Sequence, residues 1–233
     1  MSGIEIPSTW EGVMSYAERI NAPPVFMKSI KALSQAKPNA LYRMCSMDNP
    51  PLLPGALQDP AYTQAILKEI SRPRSEEEDL ESAILRRSIW GAFLGAGGRL
   101  EASIHADALT HRPSGMGKAA LRTSLEYAFH LASHPNADVR IRKEVGKGGD
   151  SVGQFGNWAI NYPAGPEATV DRVARATVTN VGVEAALPLD IEEVVPILEK
   201  TWGIIQETSY DREKTLSMIG AAITMLPQDP TAV

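Results

Sequence analysis

KAALRTSLEYAFHLASH (residues 118–134) runs straight into PNADVRIRKEV (residues 135–145), and the fold reading turns on this stretch. In the first part Leu121, Leu125, Ala128 and Ala132 recur at helical spacing, with Leu131 beside them. Such a stripe predicts a helix with one face in a core. In the second part the period changes. Val139, Ile141 and Val145 alternate with Arg140, Arg142 and Glu144, the pattern of a half-buried strand. A loop over 146–150 and a return strand over Gln154–Tyr162 would complete a two-stranded ribbon near 138–162.

Upstream, the spacing predicts more helices. Residues 1–7 read as an extended arm. Ser8 and Glu11 suggest a capping box for a helix carrying Trp10, Val13, Met14, Ala17 and Ile20. Val25–Ala36 repeats the pattern, and Pro38–Met47 reads as a short third helix holding Tyr42 and Cys45. Asn49–Pro60 contains four prolines and reads as a linker. Asp59-Pro60 starts a helix to about Ser71. Ser75 and Glu78 form another capping box, followed by a helix to Gly95 that Gly97-Gly98 stops. Leu100–Thr110 reads as a further helix, and 111–115 as a loop.

Downstream, Pro166–Leu187, Asp190–Glu207 and Asp211–Met225 read as helices. The predicted class is therefore all-α: a bundle of eight or nine helices with two possible lobes and one short β-ribbon. The expected division is an arm and small helical unit over 1–48, a linker over 49–60, a main helical domain over 61–225 and a tail over 226–233.

The composition is that of a soluble protein, 43% hydrophobic and 22% charged, and a chain of 233 residues can bury a sizeable core. No apolar run approaches a membrane span, and the N-terminus lacks the basic-then-apolar pattern of a secretory signal. Cys45 is the sole cysteine, so no intramolecular disulfide can form, which fits a reducing, cytoplasmic setting or a virion.

Charge is unevenly laid out. Residues 1–83 carry net −3, residues 84–147 net +5, and residues 148–233 net −7. A basic middle between acidic ends points to a polyanion. The candidate contacts are Arg86, Arg87, Lys118, Arg122, Arg140, Arg142, Lys143, Lys147, Arg172 and Arg175, because guanidinium and ammonium groups match phosphate. Trp90, on the same helix as Arg86 and Arg87, could stack a base, although a core position is the commoner fate of tryptophan. The competing reading is a set of solvated helix faces paired with nearby carboxylates.

Other motifs carry less. Ser114-Gly115-Met116-Gly117-Lys118 has the Gly-Lys step of a phosphate loop. Arg112 stands where its first glycine belongs, however, Ala119 replaces the magnesium-binding hydroxyl, and no strand is predicted before it. A weaker role survives, since Lys118 and free N–H groups at a helix start can hold a phosphate. His130 and His134 have metal-compatible i, i+4 spacing, but no third ligand is evident and structural histidines are the simpler reading. Cys45 has no activating signature and reads as a buried thiol. No catalytic, metal or cofactor site is predicted.

The layout resembles that of small helical nucleocapsid or coat proteins of RNA viruses, with a helical body, a basic groove and arms that reach neighbours. This is a resemblance of architecture that no particular residue carries. It implies a non-enzymatic protein that binds single-stranded RNA through its phosphates and self-associates through the N-terminal arm and C-terminal tail. A matrix-type protein on anionic lipid, a helical adaptor, and an enzyme without a recognisable motif are the alternatives.

Overall fold

The computed structural model describes residues 6–36, 38–46, 50–70, 75–143, 157–162, 175–179, 187–188 and 191–228. It is an α/β fold and not the predicted all-α bundle. In chain order the elements are α1 (Trp10–Arg19), α2 (Pro24–Ser34), β1 (Leu41–Cys45), α3 (Pro60–Ile70), α4 (Glu76–Gly95), β2 (Arg99–His105), α5 (Lys118–Ala132), β3 (Ala137–Arg142), β4 (Asn157–Tyr162), β5 (Arg175–Thr179), β6 (Leu187–Pro188), α6 (Ile191–Thr208) and α7 (Arg212–Thr224). Short 3-10 turns at Gly55–Leu57 and Ala106–Leu109 precede α3 and α5.

The six strands among the described residues form one mixed sheet in the order β3-β2-β1-β4-β5-β6. β1, β2 and β3 run parallel, while β4 to β6 add antiparallel pairs on the far side of β1. The predicted ribbon is thereby corrected. β3, where the alternation predicts a strand, and β4, within the expected return strand, do not pair with each other. β3 lies against β2, and β4 lies against β1. Three predicted helices are also corrected. Pro38–Met47 contains β1, Leu100–Thr110 is mostly β2, and the Pro166–Leu187 stretch contains β5.

Among the described residues the sheet separates two cores. On one face Leu100, Ala102, Ile104, Ala137, Val139 and Ile141 meet apolar side chains of α1 to α5 and α7. On the other, Leu41, Cys45, Trp158, Ile160 and Tyr162 meet Val195, Leu198, Trp202 and Ile205 of α6. Burial on both faces explains β1: Leu-Tyr-Arg-Met-Cys shows no polar alternation because neither face is solvated. β2 does alternate, but its polar positions Glu101 and Ser103 are themselves buried.

Local signals behave as chemistry dictates. Ser75 caps α4 with both bonds of the capping box, Glu78 N to Ser75 Oγ at 3.1 Å and Ser75 N to Glu78 Oε2 at 2.8 Å. At α1 the cap shifts by one residue: Thr9, not Ser8, accepts from Gly12 N. Gly97 adopts φ 86° at the end of α4, and a Cβ on Gly98 would sit 2.6 Å from the Phe93 ring.

Candidate functional site

Beyond the carboxyl end of β2 the chain makes the turn Ala106–Leu109 and then enters α5. Crevices at the carboxyl ends of parallel strands are where α/β sheets take ligands. Here a cavity of about 460 Å³ opens between that turn, the start of α5 and the last turns of α7. The size falls within the range of roughly 300–1,000 Å³ typical of small-molecule pockets. Leu109, Leu121, Met218, Ala222, Met225 and Leu226 give it apolar walls, and Arg112 and Lys118 supply charge. Met225 is 82% exposed, an unusual state for a large apolar side chain next to a core. Methionine's flexible thioether adapts to ligands of differing shape.

Helix α5 meets the cavity with its N-terminus. Gly117 offers no side-chain cap, and the first helical bond is Leu121 N to Gly117 O. The N–H groups of residues 118–120 therefore have no partner within the helix. Arg112 donates to Met116 O at 3.1 Å, which folds the 111–117 loop against the helix start. Arg122, one turn further along α5, donates to Ile223 O at 3.0 Å and Leu226 O at 2.8 Å. It caps the carbonyl end of α7 and so holds the Met225–Leu226 wall in place. β2 and the 3-10 turn precede Ser114–Lys118, where the spacing predicts no strand. The substitutions at Arg112 and Ala119 remain.

The other expected contact residues do not gather in one groove. Arg86 and Arg87 lie on α4, and Lys118 and Arg122 on α5, both in the layer that covers the Val139 and Ile141 face of the sheet. Arg140 and Arg142 alternate with Val139 and Ile141 along β3 and take the opposite face. Most are also engaged within the chain. Arg87 lies 4.6 Å over the Tyr127 ring, Arg140 pairs with Asp138 at 2.9 Å, and Lys143 lies 5.4 Å from the Tyr210 ring. Trp90 is buried, edge-on to Tyr42 and Phe93. Arg175 opens β5, while Lys147 and Arg172 lie outside the described residues.

Arg142 has a role that the sequence order concealed. It is buried, and its guanidinium donates to Cys45 Sγ and Ser103 Oγ, each at 2.9 Å, and to Ser46 O at 3.0 Å. One side chain thus ties the carboxyl ends of all three parallel strands. Beside it, Arg43 pairs with buried Glu101 at 2.7 Å. The same guanidinium lies over the rings of Trp202 and Tyr162, at 5.2 and 5.6 Å.

Burial also perturbs acidic groups. Asp59 caps α3 by accepting from Tyr62 N at 2.8 Å, and it accepts from Ser124 Oγ at 2.6 Å. Burial raises its pKa above the ordinary value, while these hydrogen bonds and Arg87 oppose that rise. Burial pushes the Tyr127 phenol up to about 12. Among the described residues no three His, Cys, Asp or Glu side chains come together to hold a metal, and no helix is long and apolar enough to cross a membrane.

Residues 47–221, three quarters of the chain, match the family described as Domain of unknown function (DUF5753). No curated protein and no solved structure matches the chain.

Proposed function

We propose, from the premise that this chain belongs to the DUF5753 family, that it is a non-enzymatic binding protein for a small amphipathic anion. The observation that carries this reading is the cavity between α5 and α7, apolar on its walls and cationic at Arg112 and Lys118. The apolar body of the ligand packs against Leu121, Met218 and Met225. Its carboxylate or phosphate group meets Lys118 and the free N–H groups at the start of α5, where the helix dipole favours negative charge.

Single-stranded RNA held through its phosphates is the second reading, favoured by the net +5 of residues 84–147. Under that reading self-association through the arm and tail would build an assembly. The internal engagement of Arg87, Arg140 and Arg142 leaves that interface fewer cations than the sequence promised.

Calorimetric titration with decanoate and decyl phosphate tests the first reading. Saturable binding is expected, weakened by about tenfold (~1.4 kcal/mol) in Lys118→Ala and abolished in Ala222→Trp, which fills the cavity. Failure of both probes to bind, or binding indifferent to Ala222→Trp, overturns it. A labelled oligouridylate is the control. Salt-sensitive RNA binding that falls in Lys118→Ala and Lys143→Ala, without decanoate binding, would establish the second reading instead.

A further inference from the structure

Helix α6 covers the sheet with one face only. Val195, Leu198, Trp202 and Ile205 are buried against the strands. The opposite face presents Ile197 at 51% exposure and Ile204 at 44%, with Lys200 and Glu207 also exposed. These two isoleucines are half of the large apolar side chains exposed among the described residues. They sit one heptad apart, so they form a stripe and not scattered positions. Gly203 lies along the same outer side. A Cβ there would meet nothing within 4 Å, so packing inside this chain does not require glycine. Glycine in a helix interior nevertheless weakens the helix.

We propose that this face of α6 is a two-fold docking surface for a second copy of the chain. The charge spacing selects that occupant. Lys200 and Glu207 are seven residues apart, and neither forms an ion pair with a described residue. When two copies of α6 cross antiparallel about a point between Gly203 and Ile204, each Lys200 faces Glu207 of the other copy. Both ion pairs form at once, as an isologous interface requires. Ile204 meets its own counterpart beside the two-fold axis and Gly203 lets the helix backbones approach closely on the flank, while Ile197, opposite position 210 of the other copy and so past the end of its α6, lies at the rim of the contact. A partner of different sequence would need to reproduce this spacing; a second copy has it by symmetry.

One helix face per subunit is a small patch. Stable interfaces bury about 800 Å² per partner, so this one is weak and reversible. The inference is independent of the ligand pocket, which lies between α5 and α7.

Sedimentation velocity from about 10 µM to about 1 mM protein spans the affinity range of such interfaces. The intact chain is expected to pass reversibly from monomer to dimer. Ile204→Glu is expected to remain monomeric. Lys200→Glu and Glu207→Lys each place like charges together and are expected to weaken the dimer by tenfold or more. The double variant Lys200→Glu/Glu207→Lys swaps both charges and is expected to restore it. All these positions are exposed, so the fold survives the substitutions, and far-ultraviolet circular dichroism verifies that. A monomer throughout the range, a dimer unmoved by Ile204→Glu, or failure of the charge swap to restore association would overturn the proposal.

Discussion

Replacing Arg142 with methionine removes the side chain that joins the three parallel strands. The guanidinium makes hydrogen bonds to Cys45 Sγ, Ser103 Oγ and Ser46 O, all buried. Hydrogen bonds to a charged group contribute about 1.5–3 kcal/mol each, and part of that offsets the cost of burying the charge. Methionine fills much of the volume, so the cavity term is small. The main loss is the stranding of Ser103 Oγ without a donor and the reduction of Ser46 O to the weak Cys45 S–H bond at 3.5 Å, at about 1–3 kcal/mol per group. Together these give a destabilisation of about 3–5 kcal/mol, the range for breaking a buried polar pair. For a chain of this size that lowers Tm by roughly 6–20 °C. Urea unfolding followed by tryptophan fluorescence and circular dichroism measures it. The m-value should hold, because the surface exposed on unfolding is unchanged. Lysine at the same position keeps the charge but not the planar fork, and should fall between the two. A loss under about 1 kcal/mol in Arg142→Met would refute the view that this residue braces the sheet.

Two other tests address the fold. Asp59 has a raised pKa in the native state, so the native protein binds its proton more tightly than the unfolded chain does. Its contribution to stability is present at acid pH and is lost as pH rises through the native pKa. Asp59→Asn keeps the cap and removes that dependence; a variant with the same pH–stability slope as the parent would contradict the assignment. Deleting residues 1–46 removes β1 from between β2 and β4 and bares both of their edges. The remaining chain begins where the family match begins, yet it should show no cooperative thermal transition. A sharp transition with native-like circular dichroism would show that β1 is dispensable.

The helical expectation for Pro38–Met47, which contains β1, has one cause. Leu41–Cys45 is only five residues long and is buried on both faces, so it lacks the alternation that marks a half-solvated strand. β2 differs. Leu100, Ala102 and Ile104 alternate with Glu101, Ser103 and His105, and that period-two signal was legible. That period marks a strand, against the helix expected over Leu100–Thr110. The apolar cavity was not legible. Its walls come from residues 106–121 and 218–226, which are distant in sequence and meet because α7 packs on the α5 side of the core through Ile219 and its neighbours, with Arg122 fixing the end of α7.

What the sequence determined by itself is what neighbouring residues decide together. The Ser75–Glu78 box, the Asp59-Pro60 start, the Gly97-Gly98 stop and the stripe of α5 all appear in the structure, since each depends on groups within a few residues. The tertiary structure alone decided which strands pair and where each cation goes. Arg140 has its carboxylate two residues away, at Asp138, but Arg142 finds Cys45, Ser46 and Ser103 only across the sheet. A buried strand satisfies its backbone, and a buried guanidinium its donors, with whatever partner folding brings alongside. The identity of that partner is long-range, so no local pattern records it.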